Sequence, residues 1–111
     1  MLLGGAGVFA LHYANHLLSL KDTELVVSVG RNIRKDDHYS LAVGRNDARY
    51  KYEQVHIVFE SERLNNLIDT YKPDYIIILP WNVKTEIIKQ LKFAKKWNCK
   101  FITLIPKISI N

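Results

Sequence analysis

Pro80-Trp81-Asn82 sets a rigid ring, a large aromatic plane and a side-chain amide side by side, directly behind the apolar run Tyr75 to Leu79. An indole stacks on flat rings, and a side-chain amide either reads a ligand or caps a helix. A second group, Gly4-x-x-Gly7-x-x-Ala10, has the spacing of a phosphate-cradling turn. Its first glycine permits the tight bend and its second lets a pyrophosphate approach the backbone. The small third residue lets helix and strand pack closely, while the free N–H groups of the helix start face the anion. The third group is Gly30-Arg31-Asn32. A carboxylate there would hold the ribose hydroxyls of NAD; an arginine suits a 2′-phosphate, so a dinucleotide bound here would be NADP. Arg31 as a solvated loop residue fits the same pattern.

Other chemistries find little support. A single cysteine, Cys99, excludes an intrachain disulfide and a clustered zinc site, and fits a free thiol in the reducing cytoplasm. His12 and His16 stand four apart on one expected helix, with no acidic third ligand nearby; His38 and His56 are isolated, so no metal is expected. The net charge is +5. Lys84, Lys89, Lys92, Lys95, Lys96 and Lys100 account for much of it and read as a solvated helix face. Arg31, Arg34, Lys35, Arg45 and Arg49 fall in one connection, where the phosphates of a nucleotide would satisfy them. No recognition helix or aromatic platform points to nucleic acid. No apolar run approaches the roughly 20 residues that span a bilayer, and the start has no basic leader.

The elements that must position these groups alternate. Leu2-Leu3 reads as the end of a buried strand, Val8 to Leu20 as a helix with Val8, Leu11, Ala14 and Leu18 inward, and Leu25 to Val29 as the second strand. Val55 to Phe59 is expected as the third strand, with Tyr50-Lys51-Tyr52 leading to it. Ser61 is the expected cap of a helix striped by Leu64, Leu67, Ile68 and Tyr71 and stopped by Pro73. Tyr75 to Leu79 is the fourth strand. Ile87, Ile88, Leu91, Ala94 and Trp97 mark the last helix, ended by a left-handed Asn98, and Phe101 to Ile105 is the fifth strand, closed by Pro106. Arg31 to Gln54 shows no helical stripe and is expected to be irregular. Val29-Gly30-Arg31-Asn32 recurs there as Val43-Gly44-Arg45-Asn46, which reads as chance or a small hairpin. At 111 residues this makes one α/β domain, a three-layer Rossmann-like fold with five parallel strands in the order 3-2-1-4-5. In such a sheet ligands bind beyond the carboxyl ends of the strands.

Two resemblances sharpen this. Leu3-Gly4-Gly5-Ala6-Gly7-Val8-Phe9-Ala10-Leu11-His12 and Leu67-Ile68-x-x-Tyr71-Lys72-Pro73-Asp74-Tyr75-Ile76-Ile77 resemble the NAD(P)-binding half of extended short-chain dehydrogenase/reductases, the nucleotide-sugar epimerases and dehydratases. That family's Asn/His-Ala-Ala segment is replaced by Ile78-Leu79-Pro80-Trp81, and no tyrosine has a lysine four positions on. Hydride transfer by this chain alone is therefore not expected. From Lys72 the likeness changes. Lys72-Pro73-Asp74-Tyr75, Leu79-Pro80-Trp81-Asn82-x-x-x-Glu86-Ile87, Gln90-Leu91, Trp97-x-x-Lys100-Phe101 and Ile105-Pro106 resemble the carboxy-terminal Rossmann-like domain of sugar C-methyltransferases, over about a third of the chain. That family has an Asp-Arg-Asn element where this chain has Gly30-Arg31-Asn32, and Asn98-Cys99 replaces a glycine pair.

The second resemblance implies a domain that helps enclose a nucleotide-linked sugar. The zinc motif and the S-adenosylmethionine domain of that family would have to come from a separate domain or chain. Pro80, Trp81 and Asn82 are then the expected substrate-binding residues, and Gly4, Gly7, Ala10, Arg31 and Asn32 the expected cofactor-binding ones. Trp81 as a buried plug and Asn82 as a helix cap remain open. The expectation is a non-catalytic nucleotide or nucleotide-sugar binding module, with a methyltransferase partner or a second copy covering its sheet edges. The alternatives are a truncated NADP-dependent epimerase-like fragment and a recombined reading frame that folds without activity.

Overall fold

Val26-Val27-Ser28-Val29-Gly30 has the composition of a strand covered on both faces, and all five residues are buried. The computed structural model describes residues 1–4, 8–30, 48–80, 83–103 and 109–110. Its elements run β1 (Leu2–Leu3), α1 (Val8–Ser19), β2 (Val26–Gly30), β3 (Tyr50–Gln54), α2 (Ser61–Tyr71), β4 (Tyr75–Ile78), α3 (Lys84–Gln90), a 3-10 helix (Lys92–Trp97), β5 (Lys100–Thr103) and β6 (Ser109–Ile110). The first five strands are parallel in the order 3-2-1-4-5, as the alternation of elements requires. A sixth strand went unanticipated: β6 pairs antiparallel with β5, Ile102 opposite Ile110. Among the described residues no helix is long and apolar enough to cross a membrane.

Successive side chains of a strand point to opposite faces, so the sheet builds two cores. One collects Leu3, Val27, Val29, Ile76, Ile78 and Phe101 against Leu64 and Ile68 of α2, Ile87 of α3, and Leu91 and Ala94. The other collects Leu2, Val26 and Ile77 against Ala14 and Leu18 of α1. The chain thus leaves β1 toward one face and β4 toward the other, as right-handed crossovers in this strand order demand. Phe101 has no exposed surface, and filling its place is worth about 1.5–3 kcal/mol of hydrophobic free energy.

Three local expectations need correction. The third strand is Tyr50–Gln54 and not Val55–Phe59. The backbone N–H groups of Val58 and Phe59 donate to Nδ1 of His56 at 3.3 and 3.1 Å. A side chain that captures backbone donors bends the chain away from a ladder. Val55 still continues the pairing, its N–H reaching the Gly30 carbonyl at 2.9 Å. Ser61 does not cap α2: it is the first helical residue, the cap position is Glu60, and no side-chain cap bond forms. The stripe Leu64, Leu67, Ile68 and Tyr71 is as expected, and the helix ends where Lys72 turns left-handed at φ 46°. The last helix is two pieces, α3 and the 3-10 helix, joined at Leu91; Asn98 then turns left-handed at φ 64°, as its type allows. The fifth strand is described from Lys100 to Thr103; residues 104–108, with Pro106, lie outside the described residues, as do residues 31–47 with the second Val-Gly-Arg-Asn copy.

Candidate functional site

Gly4 ends β1 in a conformation that favours glycine, with φ +87°, and donates its N–H to the Val29 carbonyl at 2.8 Å. Space for a side chain is tight as well. A Cβ added there would lie 3.0 Å from Cδ and 3.1 Å from Cγ of Pro80, and 3.6 Å from Cβ of Leu79. The Leu79 N–H in turn donates to the Leu3 carbonyl at 3.2 Å. Gly4 and Pro80 therefore touch, side by side on the carboxyl rim of the sheet. They touch at β1 and β4, the neighbouring strands whose following helices depart to opposite faces. That is the topological switch point, where a parallel sheet opens a crevice for a ligand.

Two of the eight expected site residues, Gly4 and Pro80, are thereby brought together. Ala10 lies in the first turn of α1. Gly7, Arg31, Asn32, Trp81 and Asn82 lie outside the described residues. Helix α3 begins at Lys84 with Val83 in its cap position and no side-chain cap bond, and the Val83 N–H donates to the Pro80 carbonyl at 3.4 Å.

A further part of the same rim escaped the sequence reading. Past the carboxyl end of β3, residues Val55 to Glu60 fold into a closed turn around His56. The Glu60 N–H donates to the His56 carbonyl at 2.8 Å, and the His56 N–H donates back to the Glu60 carboxylate at 2.9 Å. Arg63 forms an ion pair with that carboxylate. The His56 N–H, and after it Arg63, hold the Glu60 carboxyl below the usual carboxylate range. The Phe59 ring lies parallel to the His56 imidazole, with centroids 4.4 Å apart and planes 25° apart, and Phe59 as a residue is 84% exposed. The one sequence signal was a histidine three residues before a phenylalanine, just ahead of a helix start.

Other features lie away from this rim. A cleft of about 680 Å³ opens at the amino end of the strands, lined among others by Tyr13, Leu17, Asp74, Tyr75, Ile77 and Ile102. Its place at the opposite end of the sheet separates it from the glycine turn. Tyr71 donates its hydroxyl to Glu53 at 2.8 Å; burial and then that bond raise its pKa. Burial likewise pushes the Cys99 thiol up. Among the described residues no three His, Cys, Asp or Glu side chains are grouped to hold a metal, and His12 and His16 are exposed on α1.

Comparison with known proteins bears on this arrangement. A family model described as the C-methyltransferase C-terminal domain matches residues 45–106. The match starts well upstream of Lys72 and takes in Leu67 to Ile77, the stretch that also resembles the epimerases. No curated protein and no solved structure matches the chain.

Proposed function

The chain belongs to the C-methyltransferase C-terminal domain family, and from that premise we propose that it is a nucleotide-sugar binding module that performs no chemistry itself. It works beside an S-adenosylmethionine-binding domain or chain, which supplies the methyl group. The close approach of Gly4 and Pro80 supports this reading, because the first residue of the Gly4-x-x-Gly7 motif lies beside the first of Pro80-Trp81-Asn82 at the switch point. In the proposal the diphosphate meets the backbone at Gly4 and Gly7, Arg31 and Asn32 take anionic or hydroxyl groups, and Trp81 and Asn82 face the sugar.

Tryptophan fluorescence tests it. Trp97 is committed elsewhere, its Nε1 donating to the Pro73 carbonyl at 2.9 Å and its ring lying under the Lys72 ammonium at 4.6 Å. Trp97→Phe leaves Trp81 as the reporter. A nucleotide sugar is expected to change the Trp81 emission saturably, while NADP and S-adenosylmethionine leave it unchanged. A response to NADP alone would support an oxidoreductase fragment instead. Silence with every ligand would leave a fold without a ligand site. Either result overturns the proposal.

A further inference from the structure

We propose that Phe59, backed by His56, is the stacking platform for the base of a nucleoside diphosphate whose diphosphate lies at the Gly4 turn. The inference rests on the nucleotide-binding reading and adds the subsite for the base.

An isolated apolar side chain on a surface needs no explanation. Phe59 differs because it is held. The turn that carries it is closed by the reciprocal bonds between His56 and Glu60, and its partly buried Ile57 packs on the core. Phe59 donates its own N–H to His56 Nδ1, and Val58 donates to the same atom, which holds the imidazole in place. One face of the phenyl ring rests on that imidazole, and Phe59 as a residue remains 84% exposed. A plane supported behind and open in front, on a backbone already closed into a turn, is what stacking a flat ring requires, since less freedom is left to lose on binding. With His56 Nδ1 accepting from the backbone, Nε2 is the nitrogen left to donate to a base carbonyl or phosphate oxygen.

Position agrees. The turn follows the carboxyl end of β3, on the rim where Gly4 ends β1, and only β2 lies between those strands. Two strand spacings make about 9–10 Å, so base and diphosphate ends lie on one rim, a short span apart.

Calorimetry at fixed ionic strength decides it, with dTDP, UDP, ADP and inorganic pyrophosphate as probes for the whole chain and for Phe59→Ala and Phe59→Trp. The exposed ring leaves the fold of Phe59→Ala intact, checked by circular dichroism. Phe59→Ala should weaken nucleoside diphosphate binding roughly five- to 150-fold, the range of one aromatic–base stack, without affecting pyrophosphate. Phe59→Trp should keep the affinity, and its added emission should be quenched by nucleoside diphosphates but not by pyrophosphate. Nucleoside diphosphate binding that is the same in wild type and Phe59→Ala overturns the platform and leaves the module reading standing. A changed oligomeric state in Phe59→Ala with unchanged nucleotide affinity makes the ring a protein contact and also overturns it. If the wild type binds none of the probes, the nucleotide-binding reading fails and the platform with it.

Discussion

Gly4 resists replacement for two independent reasons. Its φ of +87° strains any L side chain, and a Cβ would press on Pro80 at 3.0 Å, tighter than ordinary van der Waals contact. Strain of this kind costs about 1–3 kcal/mol, a large share of the roughly 5–15 kcal/mol that holds a domain folded. Gly4→Ala should therefore lower the urea midpoint of unfolding at an unchanged slope, and it should weaken nucleotide-sugar binding in the Trp81 assay. A wild-type midpoint in Gly4→Ala would show that the close approach to Pro80 is not maintained in solution. The need for glycine was legible from the turn motif; the identity of the neighbour was not, since residues 4 and 80 meet only through the pairing of β1 with β4.

At the scale of elements, the apolar periodicities of α1 and α2 and the buried run of β4 were legible because each pairs one period with one covered face. The third strand was misplaced for a physical reason. Val55-His56-Ile57-Val58-Phe59 has strand composition, yet the His56 ring takes two of its backbone donors, while Tyr50-Lys51-Tyr52-Glu53-Gln54 pairs along β2. No pattern in one dimension records that competition. Strand β3 is also tied to α2, through the Tyr71 hydroxyl on Glu53. A tyrosine in the unfolded chain ionises near pH 10, and burial followed by the Glu53 carboxylate raises Tyr71 above that. The bond's contribution is then intact below about pH 10 and lost as pH rises through the folded value. Tyr71→Phe should cost about 1 kcal/mol or less at neutral pH and flatten the alkaline limb of a stability-versus-pH curve measured by denaturant melts. An unaltered alkaline limb would show that the pair does not join the two elements.

For the molecule as a whole, one sheet shared by two cores should open as one body. Cys99 has no exposed surface and lies in the core shared with Phe101, Leu64 and Ile76, and burial raises its thiol so that little reactive thiolate forms. Its reaction with a disulfide reagent should be slow in the native protein and accelerate with urea in step with global unfolding; fast native labelling would mean that this core breathes locally. The abutment of the first turn on the β4 corner also reaches beyond stability and binding. A Cβ at position 4 crowds the pyrrolidine at position 80, which must give by a few tenths of an ångström, so Gly4→Ala and Pro80→Ala should prove non-additive in a double-mutant cycle. Drift at either place is coupled to the other: loss of the ring at 80 relieves the crowding at 4, while the positive φ there keeps its preference for glycine.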